Sequence, residues 1–330
     1  MKRYRWTVVA LGVLAGLIAY RQWIERPGDE KRPKVLNLNR DTITGVEIDG
    51  GGSRLVIKKD PAAVWMIQDP GPFPASVEEM TSFFGNVAQL EAESEVAEQV
   101  SEPSRFGLEP PQKKIIFFAG DVQIAVLKVG ATTQVGSGLY VQKEGDPKLY
   151  LVSSYRLERY RPDPLLFRNR QVVSFDKGAV TVISVRADQA RFDLSKGDGG
   201  TWQVRGGADG GEGDAGKVEA FLQDLKGLSV SEFVSDTVSN WKEFGLDKPQ
   251  VEITVTEQDK TPLVLQLGNE RKESGIYFRI VGQPSVYLIP THTKDKVSKK
   301  ASDFVAPPPP PAPKDPYAPQ DPYGGLTPPA

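Results

Sequence analysis

With 330 residues, 39% of them hydrophobic and 25% charged, the chain has room for two globular domains of ordinary size. Its 41 basic and 43 acidic residues are interleaved and leave a net charge of −2, which excludes the basic stripe of a general polyanion binder. Cysteine is absent and His292 is the single histidine, so disulfides, thiolate nucleophiles, Cys-based metal centres and a multi-His site are excluded as well.

The N-terminus reads as an address. Met1 to Arg5 is a basic lead, and Trp6 to Tyr20 carries no charge before Arg21. As a helix that run spans roughly 22 Å, short for a hydrocarbon layer of about 30 Å. Trp6, Tyr20 and Trp23 stand near its ends, where amphipathic aromatics favour the interface. A cleaved signal peptide and a retained signal anchor compete. The sequence after the run, Tyr20 to Ile24, lacks a small-x-small cleavage pattern and favours the anchor. Lys2, Arg3 and Arg5 favour an N-in orientation, with the bulk of the chain extracytoplasmic or periplasmic. The absence of cysteine fits export to an oxidising space. Gln22 to Asn39, charged and containing Pro and Gly, reads as a linker.

From about Thr42 to Asp303 the chain is written twice. Trp65-Met66-Ile67 returns as Trp202-Gln203-Val204 at an offset of 137. Phe106-Gly107-Leu108 returns as Phe244-Gly245-Leu246 at 138, and Gly138-Leu139-Tyr140-Val141 as Gly275-Ile276-Tyr277-Phe278 at 137. A unit of this length is a duplicated domain rather than a short-period solenoid.

Each copy opens on alternating strands, Thr42–Ile48 and Arg54–Ile57 in the first and Val180–Val185 and Arg191–Leu194 in the second. The Trp strand follows, and then a helix. Ser76-Val77-Glu78-Glu79 has the S-x-x-E form of a capping box, in which Glu79 reaches back to the Ser76 amide. Val77, Met80, Phe83, Phe84, Val87 and Leu90 form its apolar face. In the second copy Asp214 is the expected N-cap, with Val218, Phe221, Leu222, Leu225 and Leu228 as the stripe. Further strands are expected at Lys114–Phe118, Ile124–Val129, Leu139–Val141 and Leu149–Val152. Their counterparts are Val251–Val255, Leu263–Leu267, Ile276–Ile280 and Val286–Ile289. Short turns between consecutive strands imply antiparallel pairing. The expected fold class is α+β: two tandem duplicated domains, each a mostly antiparallel sheet with one main amphipathic helix, after an N-terminal transmembrane helix.

No chemistry-bearing constellation emerges. Gly50-Gly51-Gly52 and the glycine-rich stretch 197–216 contain no G-x-x-x-x-G-K-[ST], and Asp209, Glu212 and Asp214 lack the spacing of a calcium loop. The Phe-Gly-Leu block, present in both copies, reads as a turn in which glycine supplies φ > 0. His292 aligns with Tyr155 and reads as a surface residue at a strand end. No residue is assigned a catalytic, cofactor-binding or metal-ligating role, and no cofactor is expected. What differs between the copies is the loops, Pro-rich at 69–74 and Gly-rich and acidic at 197–216. Those loops, or the cleft between copies, are where a binding site would be sought.

After the second copy come Pro307 to Pro311 and the near-repeat Asp315-Pro316-Tyr317 and Asp321-Pro322-Tyr323, which read as a disordered polyproline spacer or a Tyr-containing recognition peptide. The expected organisation is an anchor at 1–23, a linker at 24–41, repeats at 42–174 and 175–304, and a tail at 305–330.

An N-terminal anchor, a Trp strand ending near Pro70, an amphipathic helix and an [FY]-G-L-[DE]-x-P block, cleanest at Phe244 to Pro249, together resemble bacterial domain-of-unknown-function family 4340 over about Asn39 to Asp303. The resemblance implies an envelope protein that accompanies gliding-motility-type ABC transporter components, with no catalytic residues to carry over. The expected function is therefore a non-enzymatic, single-pass, membrane-anchored accessory or scaffold protein with protein partners and no nucleic acid. A binding module for peptidoglycan or polysaccharide is the alternative, and a carboxylate-based hydrolase the remote one.

Overall fold

The computed structural model describes residues 32–307, apart from 135, 188–189 and 207–209. The expected anchor at 1–23, the first part of the linker and the tail from 308 onward lie outside the described residues. Among the described residues no helix is long and apolar enough to cross a membrane. The chain divides into two compact units between Asn169 and Arg170. Val173 and Phe175 both lie in the second core, which places 170–174 with the second unit rather than the first.

In the first unit the strands are β1 (Gly45–Gly50), β2 (Ser53–Lys59), β3 (Trp65–Asp69) and β4 (Phe73–Pro74), then helix α1 (Val77–Val87) and β5 (Ser94–Ala97). The chain continues through β6 (Lys113–Ala119), β7 (Val122–Thr132), β8 (Gly138–Lys143), β9 (Leu149–Ser153) and the short helix α2 (Pro164–Phe167). Among the described residues these form one nine-stranded sheet in the order β4-β3-β2-β1-β6-β7-β8-β9-β5. Every neighbour pair is antiparallel. Because α1 leaves one edge strand, β4, and delivers the chain to the other, β5, it must cross the whole inner face of the sheet. Period-two alternation then decides which side chains meet it. Ile48, Ile57, Ile67, Ile115, Phe117, Leu127 and Val141 point inward and join Met80, Phe83, Phe84 and Val87 in a single core.

Residues 33–38, placed in a linker by composition, are docked on this core. Val35 and Leu36 are buried, and the amides of Val35 and Leu38 bond to the carbonyls of Leu90 and Ala88, both at 2.8 Å. The apolar pair offsets the local Pro and charge content, so composition misplaced the start of the first unit.

The second unit repeats the plan with β10 (Val180–Ala187), β11 (Ala190–Lys196), β12 (Trp202–Arg205), β13 (Gly211–Gly213), helix α3 (Ala215–Lys226) and β14 (Glu232–Ser235). It closes with β15 (Val251–Glu257), β16 (Leu263–Arg271), β17 (Gly275–Ile280), β18 (Val286–Ile289) and the short helix α4 (Lys294–Val297). The sheet order, β13-β12-β11-β10-β15-β16-β17-β18-β14, is that of the first unit strand for strand. The cores agree as well. The Phe83 ring lies 5.7 Å from Phe167, and its counterpart Phe221 lies 5.2 Å from Phe304.

The helix starts differ in one respect from expectation. Ser76 Oγ accepts the Glu79 amide at 3.2 Å, but Glu79 does not reach back. The Ser76 amide is already donated to the Phe167 carbonyl at 2.6 Å, so Glu79 pairs with Arg159 at 2.9 Å instead. Val77, placed on the apolar face by its spacing, is 66% exposed as the first residue of α1. Asp214 caps α3 as expected, accepting the amides of Gly216 and Lys217. Gly107 and Gly245 have φ of 65° and 67°, the left-handed conformation expected of the Phe-Gly-Leu block. Each block crosses its sheet at a β-bulge, β7 at Val129/Thr132 and β16 at Leu267/Glu270.

Candidate functional site

Each helix covers one sheet face, and side chains of the opposite parity form the other. On that open face the two copies part company. Glu47, Val56, Ile116, Phe118 and Val126 occupy the middle of the first sheet, where β1, β2, β6 and β7 pair. Their counterparts in the second sheet are Ser184, Asp193, Thr254, Thr256 and Val264. Val56 and Val126 are almost fully buried there, although neither belongs to the helix-side core. A mostly apolar strip in the first copy has become a largely polar one in the second.

The adjacent row of side chains changes sign at its first two positions and moves its remaining positive charge from the third to the fourth. Across β1, β6, β7 and β8 it reads Asp49, Lys114, Lys128, Gln142, and across β10, β15, β16 and β17 it reads Arg186, Glu252, Gln266, Arg279. In the second unit the row is bonded into a ladder. Arg186 lies 3.6 Å from Glu252, and Gln266 Nε2 donates to Glu252 at 2.6 Å. Arg279 Nε donates to Gln266 Oε1 at 2.7 Å, and its guanidinium stacks 4.1 Å from the Trp241 ring centre. Burial lowers the Arg279 pKa below its ordinary value, with Glu252 opposing. In the first-unit row Lys128 pairs with Glu144 at 3.3 Å.

A second feature belongs to the first unit alone. Lys113 opens β6 with the inward parity of Ile115 and Phe117, and the offset of 138 aligns it with Val251, a buried core residue. Its ammonium donates to the main-chain carbonyls of Leu157 at 2.6 Å and Tyr160 at 2.7 Å. In the second unit the matching segment is helix α4, where the Lys294 carbonyl takes the Ser298 amide at 2.8 Å. Lys113 thus adds a side-chain donor at the Leu157 carbonyl, whose counterpart at Lys294 takes, among the described residues, a backbone amide alone. Beside it is a cavity of about 310 Å³ bordered by Gly50, Val129, Leu139, Glu158, Arg161 and Pro162, among others. Burial pushes the Lys113 pKa down to about 8; Glu158 opposes that shift and Arg161 adds to it.

Among the described residues, the loops singled out by their divergence do not form a pocket with convergent polar groups. In 69–74, Asp69 lies 3.7 Å from Arg54, while Phe73 packs beneath the Arg168 guanidinium at 3.7 Å. Within 197–216, a tight turn closes through the Gly197 amide and the Thr201 carbonyl at 2.8 Å. Asp209 lies outside the described residues, and Asp214 is occupied as a helix cap. Among the described residues no three metal-ligating side chains converge. His292 is exposed, and so is the aligned Tyr155.

The carboxylates carry their own chemical message. Glu47 is held below the ordinary range by its hydrogen bond from Arg54, Glu232 by Arg271 and Glu257 by Lys260. Glu78 is lowered by a backbone hydrogen bond and by Ser76. A general acid at neutral pH needs a shift in the other direction. Lys113 was missed by motif reading because no motif contains it. The signal was present all the same: a lysine aligned with a core valine of the other copy.

The family model described as Domain of unknown function (DUF4340) matches residues 65–236 and 207–308. The chain belongs to that family. The first matched segment of this DUF4340 chain runs from the Trp strand β3 across the division at Asn169 into α3 and β14, so one match is not confined to one compact unit. No curated protein and no solved structure matches the chain.

Proposed function

We propose that this protein is a non-enzymatic accessory or scaffold protein, held at the bacterial cytoplasmic membrane by its N-terminal segment with both units outside. Its partners are proteins of a membrane complex, in the first instance subunits of an ABC-type transporter of the gliding-motility type. One observation carries the binding role. Two copies of one fold agree strand for strand and core for core, yet the middle of the face that folding leaves open is mostly apolar in one (Val56, Ile116, Phe118) and mostly polar in the other (Asp193, Thr254, Thr256). Folding does not require that divergence, whereas two different partner surfaces do. The basic lead and the uncharged run Trp6 to Tyr20 support the anchor.

The test is mild crosslinking in membranes followed by affinity capture of the full chain. Permease or ATPase subunits should be recovered with the unaltered protein and lost when Ile116→Lys and Phe118→Lys are combined. Recovery of the protein alone would overturn the reading.

The envelope-polymer alternative needs exposed aromatic platforms. Trp202 is only 6% exposed, Trp65 packs on Phe84 at 5.3 Å, and Trp241 is covered by Arg279. Cosedimentation with purified peptidoglycan would revive it.

A further inference from the structure

We infer that the Lys113 cavity of the first unit is a binding site for a small organic anion, with the anionic group between Lys113 and Arg161 and an apolar body against Val129, Leu139 and Pro162. This is independent of the scaffold reading above. Several observations converge on it. The cavity, at about 310 Å³, stands at the lower end of the range for small-molecule sites, roughly 300–1,000 Å³. Its lining sets apolar Val129, Leu139 and Pro162 beside polar groups, chiefly Lys113, Glu158 and Arg161, so that a ligand with one polar and one apolar end is oriented.

The chemistry of the polar end follows from the bonds already made. An ammonium has three N–H donors, and Lys113 spends two of them on the carbonyls of Leu157 and Tyr160. The third has no protein acceptor among the described residues. Arg161 is exposed on the same cavity and has no side-chain partner among the described residues. Glu158, exposed on the rim, is the one carboxylate among the described residues bordering the cavity, and with Lys113 and Arg161 it leaves a net charge of +1. A charge-assisted donor with an unspent proton and a guanidinium together select an anion over a neutral or cationic ligand.

Comparison of the copies strengthens the assignment. The fold needs no lysine at this position, since Val251 fills it in the second unit, where the Lys294 carbonyl takes the Ser298 amide instead. The residues aligned with Glu158 and Arg161 are Asp295 and Ser298, so the second unit lacks both cations of the pair. A purely structural lysine would explain the two carbonyl bonds; it would not explain the cavity or Arg161 beside it.

The experiment is calorimetric and NMR titration of the full-length chain in detergent with benzoate, and with benzyl alcohol as its neutral counterpart. Benzoate should saturate one site, and benzyl alcohol should not bind. Lys113→Met should abolish binding, and Arg161→Gln should weaken it about tenfold, roughly 1.4 kcal/mol. Binding should also fall at least about tenfold between about pH 7 and pH 9.5, as Lys113 loses its proton between Glu158 and Arg161. Arg161→Gln and the pH series decide the matter if Lys113→Met fails to fold, because Arg161 is exposed. Absence of saturable benzoate binding up to about 10 mM would overturn the assignment. So would equal binding of benzyl alcohol, or affinity unchanged in the variants.

Discussion

The main-chain carbonyl of Phe106 occupies the space in which a side chain on Gly130 would begin, and Phe244 stands over Gly268 in the same way. Both glycines sit at the bulge where a Phe-Gly-Leu block crosses its sheet. The crossing is completed by one ring pair, Phe106 on Tyr140 and Phe244 on Tyr277, each at 5.0 Å and 67°. Glycine at 130 and 268 is therefore a packing requirement, separate from the φ requirement at 107 and 245.

Gly130→Ala and Gly268→Ala should each destabilise their own unit by about 2–3 kcal/mol, because the added methyl group meets main chain that cannot step aside. Urea unfolding followed by Trp fluorescence measures the loss. A change below about 0.5 kcal/mol would show that the block lifts freely off the sheet.

Gly85 is the contrasting case. It lies inside α1, its φ is ordinary, and a Cβ there would meet only Arg40 Nη2 at 3.6 Å. Gly85→Ala should stabilise the first unit by roughly 0.5–1 kcal/mol by restricting the unfolded chain. Thermal unfolding should show a higher midpoint for this variant than for the parent.

Lys113 gives stability a particular pH dependence. Its folded pKa of about 8 lies below its unfolded value near 10.4, so between these limits the unfolded chain binds more protons. The penalty for burying the charge is fully present below about pH 8 and is relieved as pH rises toward about 10.4. Stability should therefore rise through that window, with a slope from this residue of at most roughly 1.4 kcal/mol per pH unit. The measurement is the difference between the parent and Lys113→Met across the window; parallel curves for the two would refute the linkage.

In the second unit Gln266, only 8% exposed, joins Glu252 to Arg279. Gln266→Leu leaves both partners short of a bond and should cost about 1–3 kcal/mol. A double-mutant cycle with Glu252→Ala should return a coupling near 1 kcal/mol, whereas additive effects would mean the ladder is ornamental to stability.

Much of this architecture is written locally. Asp214 followed by Val218, Phe221, Leu222 and Leu225 specifies a capped helix and its buried face, and the structure buries all four apolar residues. Gly107 and Gly245 announce their turns because few other residues accept φ near +65°. The short strands β4, β5, β13 and β14 were not legible. Edge strands of two to four residues carry too little alternation to stand out, and they form because a neighbouring strand offers unpaired backbone. Val35 and Leu36 were misplaced for a related reason: their burial depends on the carbonyls of Leu90 and Ala88, more than fifty residues on.

The sequence by itself determined the duplication, the α+β class, the main helices and the inward-facing residues, because each rests on periodicity or turn chemistry within a dozen positions. Only the tertiary structure decided what the open side of each sheet presents. Asp49, Lys114, Lys128 and Gln142 form a row, and Arg186, Glu252, Gln266 and Arg279 a ladder, through strand register alone. It also decided that Lys113 meets carbonyls 44 and 47 residues away beside a cavity. Such contacts depend on how separate strands and turns align once the core has formed, and no local pattern in the chain encodes that alignment.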